Sequence, residues 1–232
     1  MPSHFIIAGT RFPLVDRRVE LAGTAVELAT VPYSGAELDR ITALLGHQER
    51  AWPYWLEDWP ATWALADALA EEDPSHWPGP VLDLGCGSGV LGAWLRAHFD
   101  REPYSCDFNS DACRLAAMNV ARNGSTPARG RVFCADMGAF PARKRFGLVL
   151  AGEMLYARAN HLPLLDFLSR HLAPGGRALL ADKGRSAAEG FAETAAARGF
   201  VVAARPAAFP AVGGLPAGAG RIYTLVADAP GP

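Results

Sequence analysis

The chain has 232 residues, half of them hydrophobic and a fifth charged, with a formal net charge of -2 and a pI near 6.3. That suffices for one good-sized packed domain with a small appendage, and it excludes the basic footprint of a nucleic-acid or anionic-membrane binder. The four cysteines (Cys86, Cys106, Cys113, Cys134) form no CxxC pair, no apolar run reaches the ~18 residues of a membrane span, and the start lacks signal-peptide features; a cytoplasmic protein without a zinc site or disulfide framework is expected.

In chain order, FII (5–7), RRVELAG and AVELATV (25–31) alternate as strands do. Residues 35–46 read as a short helix capped by Ser34. The stretch WPYWLEDWPATWALADALAEE (52–72) places Pro60 where a first helical turn tolerates it, so a helix is expected from there to about Glu71. Its tryptophans, Trp52, Trp55, Trp59 and Trp63, recur at helical spacing, although Pro60 interrupts any single helix through them. DPSHWPGP (73–80) is a break.

From Val81 onward the chain alternates. VLDL (81–84) reads as a buried strand, followed by glycines at 85, 87 and 89 and a helix to about His98. PYSCD (103–107) is a strand, and Ser110 can cap a helix that stops at Asn123-Gly124. RVFCAD (131–136) and FGLVLAG (146–152) are strands. A helix over 160–172 stops at PGG, RALLAD (177–182) is a strand, and a helix over 187–198 ends near Gly199. GFVVAA (199–204) and RIYTLVAD (221–228) are the last strands, with 206–220 an irregular loop between them. His161 and His171 read as surface or packing residues. The pattern predicts an α/β domain: a doubly wound, mostly parallel sheet with helices on both faces. Residues 1–50 form a small N-terminal β/α extension and 51–232 the domain.

In such sheets ligands sit beyond the strand carboxyl ends, at the first βα loop. That places Gly85 to Gly89 at the site. Its glycines permit positive φ and close backbone approach, and the following helix offers free N–H groups. A dinucleotide loop would need G-x-G-x-x-G directly after the strand. The one match, Gly87 to Gly92, starts two residues late, and the in-register pattern is G-x-G-x-G with Val90 in place of the third glycine. Asp83 would repel a pyrophosphate and suit a cationic ligand. An NAD(P)-dependent oxidoreductase is therefore the weaker alternative.

The pattern V-L-D-L-G-C-G-S-G resembles the first motif of class I S-adenosylmethionine-dependent methyltransferases, and the likeness extends to about residue 228. It implies a seven-strand Rossmann-like sheet and S-adenosyl-L-methionine as cofactor. By this resemblance Asp83 lies by the methionine portion, and Gly85, Cys86 and Gly87 form the loop beneath methionine and ribose. Asp107, 24 residues after Asp83, can accept both ribose hydroxyls, with Phe108 against the adenine face. Asp136 meets the adenine amino group and the Met137 N–H a ring nitrogen. Trp59 is placed beside the methionine end.

Methyltransferases acting on base or amide amino groups usually carry Asn-Pro-Pro-Tyr after the fourth strand; here stands Glu153-Met154-Leu155-Tyr156. Glu-x-x-Tyr resembles the motif of the seven-strand protein-lysine methyltransferases. YWLEDWPATWALADAL, GEMLYARA and ADKGR resemble segments of the electron-transfer-flavoprotein β-subunit lysine methyltransferases, which tend to have Asp-Pro-Gly-Arg where this chain has Asp182-Lys183-Gly184-Arg185. The resemblance implies Glu153 and Tyr156 as catalytic residues, with Glu153 also at the cofactor: Glu153 orients the amine and takes up its proton through water, and Tyr156 walls the channel. Arg185 could face substrate or solvent. The acceptor expected is a protein lysine. A small-molecule N- or O-acceptor stands as the alternative, and a non-catalytic cofactor-binding partner subunit as a further one.

Overall fold

The computed structural model describes residues 3–32, 35–46, 52–124, 131–141 and 143–227. Seven strands form the main sheet: β5 (Val81–Leu84), β6 (Tyr104–Asp107), β7 (Val132–Cys134), β8 (Phe146–Gly152), β9 (Leu172–Asp182), β10 (Phe200–Phe209) and β11 (Gly218–Ala227). Their spatial order is β10-β11-β9-β8-β5-β6-β7. β7, β6, β5, β8 and β9 run parallel, whereas β11 is antiparallel to both β9 and β10. Helices α2 (Pro60–Leu69), α3 (Val90–Phe99) and α4 (Ser110–Arg122) follow the cover of one face, and α5 (His161–His171) and α6 (Phe191–Ala197) cover the other. Strand order reverses between β5 and β8, which is where such sheets bind ligands.

Alternation along β5 divides the core. Val81 packs with α2 and α3, while Leu82 and Leu84 face α5 and α6. Asp83 therefore points to the α3 side, an acid beneath a helix.

The N-terminal segment makes two hairpins, β1 (His4–Ile7) with β2 (Thr10–Pro13), and β3 (Val15–Leu21) with β4 (Thr24–Thr30). Both turn through Ala-Gly pairs at positive φ, Ala8-Gly9 and Ala22-Gly23, the signature of a two-residue type I′ turn. Leu21, Val26 and Leu28 enter the main core. Phe5, Ile7 and Phe12 form a smaller core with Ile41 of α1 (Gly35–Leu45), with Trp55 and Leu56, and with Ala112 and Leu115 of α4.

The join between β4 and α4 is polar. Asn119 accepts from Ala29 N–H (2.7 Å) and donates to Ala29 C=O (3.0 Å). Asn123 accepts from Glu27 N–H (2.8 Å) and donates to Glu27 C=O (2.7 Å). Four residues of helix rise about 6 Å and two of strand about 6.7 Å, so the two amides stand in for a neighbouring strand along the edge of β4. Asn119 also donates to Ser88 C=O in the glycine loop (2.9 Å).

Several sequence expectations are corrected. Ser34 lies outside the described residues. Asn109, not Ser110, caps α4, its side chain accepting from Asp111 and Ala112 N–H. The strand expected over 131–136 is only Val132–Cys134. The PGG triplet does not lie beyond α5 as a stop but within β9, beside a register shift opposite Phe146 and Leu148. Much of 206–220 is paired strand, with β10 running to Phe209 and β11 starting at Gly218. His161 and His171 are buried packing residues.

Asn119→Leu leaves the Ala29 amide and two carbonyls buried without partners. It is expected to destabilise the fold by about 3 kcal/mol, measured as a lower urea midpoint; an unchanged midpoint would show that the amide bridge contributes nothing.

Candidate functional site

The loop after β5 carries almost no side chain to hold it, so neighbours hold its backbone. Gly85 and Cys86 N–H both donate to Cys106 C=O at the end of β6 (2.8 and 3.0 Å), and Gly89 N–H donates to Cys86 C=O. Gly85, Gly87 and Gly89 all have positive φ (74°, 51° and 82°). A Cβ at Gly89 would lie 2.6 Å from Ala116 Cα, so only glycine lets α3 and α4 approach this closely. A Cβ at Gly85 would meet Met154 Sδ at 2.7 Å, and one at Gly87 would meet Trp55 C=O at 3.4 Å. The top of the loop is thus bordered by Met154 on one side and by the turn 54–56 on the other.

Asp107 is buried at the end of β6. Its Oδ2 accepts Gly87 N–H (3.0 Å) and its Oδ1 accepts Asn109 N–H (2.9 Å). Burial raises its pKa and these backbone bonds oppose the rise. Each carboxylate oxygen keeps a second lone pair, which suits a pair of vicinal hydroxyls. Phe108, next in sequence, is 58% exposed, an apolar ring free at the rim. Asp136 follows β7 and caps the turn 137–139, accepting Gly138 N–H at 2.8 Å; Met137 is half-buried beside it.

Asp83, expected beside the methionine portion of the cofactor, is 3% exposed and lies beneath the first turn of α3. Its Oδ2 has no hydrogen-bond partner among the described residues, and neither has Ser105 Oγ on the adjacent strand. A Cβ at Gly92 would lie 3.1 Å from Ser105 Oγ and 3.6 Å from Asp83 Oδ2, so the helix backbone closes directly over both. Burial pushes the Asp83 carboxyl up to about 7, against the favourable backbone N–H of Gly92.

A cavity of about 230 Å³ opens at the carboxyl ends of β8 and β9, lined by Trp59, Pro60, Glu153, Lys183, Arg185 and Leu215. Glu153 is buried at the end of β8 with φ +57, a left-handed backbone rare for a side chain of this size. Its Oε2 accepts Arg185 Nε–H at 2.8 Å. Desolvation raises its pKa, opposed by Arg185. Trp59 caps α2 and donates from Nε1 to Tyr54 C=O (3.0 Å); the Arg185 guanidinium lies 5.6 Å from its ring centre. Tyr156 is 52% exposed. Trp55, by contrast, is buried in the small core, and Trp63 donates to Glu20 C=O.

Sequence reasoning missed four contributors. Met154 over Gly85 and the Arg185–Glu153 pair carry no local signal, nor does the bidentate Arg17–Asp58 pair (2.5 and 2.7 Å) that ties β3 to the segment before α2. Asn119 could have been found, as an amide on the apolar face of a helix.

The residues fit an elongated adenosyl cofactor: a glycine cradle, a vicinal-diol acceptor at Asp107, a free ring at Phe108 and a polar end at Asp136. Residues 81–176 match the family model for a methyltransferase domain. The chain is 36% identical over 104 residues to the ribosomal protein L11 methyltransferase of Rhizobium etli, covering 43% of this chain and 34% of that protein. It is 29% identical over 104 residues to the ribosomal RNA small subunit methyltransferase C of Alcanivorax borkumensis, covering 43% and 30%. The chain thus spans about a third of the length of these curated relatives. Its fold is similar to that of the glycopeptide N-methyltransferase MtfA complexed with S-adenosylhomocysteine, with TM-score 0.53 and 19% identity over 83% of this chain and 98% of that one. It is similar also to magnesium protoporphyrin IX methyltransferase from Synechocystis with bound S-adenosylhomocysteine, with TM-score 0.51 and 15% identity over 71% and 79%. No helix among the described residues is long and apolar enough to cross a membrane.

Asp83 makes stability depend on pH in an unusual direction. Its folded pKa of about 7 lies above the ordinary 3.8, so between those values the folded state binds the extra proton and stability falls as pH rises. The urea midpoint of Asp83→Asn is expected to fall less between pH 5 and pH 7.5 than that of the parent protein. Parallel pH dependences would show that Asp83 is ionised in the fold throughout.

Proposed function

We infer that the chain, whose residues 81–176 match the family model for a methyltransferase domain, is a class I S-adenosylmethionine-dependent methyltransferase that transfers the methyl group to a lysine amine of a protein. The observation that supports this acceptor best is Glu153: a buried carboxylate in a left-handed conformation, at the end of β8, facing a cavity that it shares with Trp59 and Arg185. An amine acceptor needs a group that orients it, and a carboxylate accepts its N–H bonds.

When bound, S-adenosylmethionine supplies a methyl group on a sulfonium, whose departure needs no acid. Gly85, Cys86 and Gly87 would lie along its methionine and ribose, Asp107 would accept the ribose hydroxyls, Phe108 would lie against the ring, and Asp136 with the Met137 N–H would meet the adenine edge. Asp83 supports this loop from below through the first turn of α3, and Trp59 stands at the acceptor end.

A lysine amine, pKa about 10.4 in water, must reach the cavity neutral. The apolar walls of Trp59, Pro60 and Leu215 disfavour its charged form, and Glu153 orients it and takes the proton through water. The Tyr156 ring at the rim favours the cationic product. Alignment of amine and methyl contributes several kcal/mol of the barrier reduction. The small cavity, about 230 Å³, also accommodates a small-molecule amine, which is the second reading. Glu153-Met154-Leu155-Tyr156 in place of Asn-Pro-Pro-Tyr favours neither a nucleic-acid base nor a backbone-like amide.

The test is incubation with methyl-labelled S-adenosylmethionine and a lysate of the host, separated into protein, RNA and small-molecule fractions. Label is expected in a protein band as methyl-lysine. Glu153→Gln is expected to reduce it about 100-fold while S-adenosylhomocysteine still raises the melting temperature and NAD does not. Label confined to the RNA or small-molecule fraction would overturn the lysine acceptor.

A further inference from the structure

The loop after β9 is built to present one guanidinium. Asp182, buried at the strand end, accepts Gly184 N–H (2.8 Å) and Arg185 N–H (3.1 Å) through Oδ2, which turns the chain back towards β8. Lys183 is led the other way, its Nζ donating to Pro216 C=O. Arg185 then reaches across the cavity. Its Nε–H meets Glu153 Oε2 at 2.8 Å, and its guanidinium carbon lies 5.6 Å from the Trp59 ring centre. Trp59 is itself held by its bond to Tyr54 C=O. One side chain therefore joins β8, the β9 loop and the segment before α2 around a single cavity.

Glu153 needs such a partner. A left-handed conformation in a residue with a long side chain persists only where its surroundings over-determine it. Two contacts do so: Glu153 N–H on Ala181 C=O (3.1 Å) and the Arg185 bond. We infer that Arg185 is a positioning residue for the methyl transfer, holding the Glu153 carboxylate ionised and aimed at the acceptor by one N–H while its guanidinium, over the Trp59 ring, lines the same cavity. This rests on the methyl-transfer reading above. An arginine suits the task because Nε and the planar face act together; lysine has the charge but neither the fork nor the plane. The charged groups facing Glu153 are Arg185, Lys183 and Asp182, all from the end of β9 and its loop; the α2 side presents uncharged Trp59 and Pro60.

The test compares the parent protein with Arg185→Gln and Arg185→Lys by three measurements. The first is titration of the Glu153 carboxyl carbon by ¹³C NMR, assigned with Glu153→Gln. The second is calorimetric affinity for S-adenosylhomocysteine, and the third is the pH profile of methyl labelling in host lysate. In Arg185→Gln the Glu153 midpoint is expected to rise by about one unit. The acid limb of labelling should move up with it, and cofactor-product affinity should stay within about twofold. Arg185→Lys is expected to restore the midpoint but not the labelling rate. A Glu153 midpoint unmoved in Arg185→Gln, or an affinity that falls in step with labelling, would overturn the assignment. A parent protein that labels no fraction, while the midpoint still shifts, would remove the methyl-transfer reading and leave the Arg185–Glu153 pairing standing.

Discussion

Two asparagine amides on α4 hold the molecule together at its least self-sufficient point. A glycine loop has few side chains with which to fasten itself, and among the described residues β4 has an edge with no strand beside it. Asn119 and Asn123 answer the second need by bonding Ala29 and Glu27 on both N–H and C=O. Asn119 answers the first by holding Ser88 C=O. Because Cys106 C=O and Asp107 hold the same loop from the end of β6, the backbone geometry of residues 85–89 is set from two directions. The N-terminal hairpin, the ligand loop and the helix between β6 and β7 are one connected polar network inside an apolar core.

The segment before α2 extends that connection to the cavity beside Glu153. Arg17 grips Asp58 with both terminal nitrogens, Trp55 and Leu56 fill the small core, and Trp59 borders the cavity. A Cβ at Gly213 would lie 2.9 Å from Asp58 C=O, so the β10–β11 connection rests on the same segment from outside. Residues from three distant stretches of sequence thus determine where one tryptophan ring stands.

The parallel half of the fold and the glycine loop after β5 were legible in the sequence because both are written locally. β5, β6 and β8 are short apolar runs, and the glycine spacing sits directly after the first. What was illegible depended on partners. The extension of the β10–β11 pair beyond the expected strands was hidden by Pro206, which reads as a breaker; it is tolerated because β10 is the sheet edge among the described residues, where a missing N–H faces no strand. The glycines of PGG look like a helix stop, yet they belong to an irregularity within β9. β2 was missed because its four residues, TRFP, are too few to show alternation and end in a proline. At the site, Asp83 was recognised as special from its place in VLDL, while its burial under α3 follows from the alternation along β5 and is seen only in the fold. Glu153 was found by resemblance. Its backbone conformation and its arginine partner, 32 residues away, come only from the fold.

Glu153 occupies a backbone conformation that glycine or asparagine adopts more readily. Selection for thermal resistance alone would therefore favour replacing this acid, since relief of backbone strain adds stability and the ion pair lost is to a partly exposed guanidinium that water can solvate. In the methyltransferase reading the same replacement empties the cavity of its carboxylate. Here foldedness and turnover make opposing demands on one residue. A library screened only for surviving heat would collect well-folded, cofactor-binding, inert variants at this position, and a screen that scores methyl transfer would retain the strained acid.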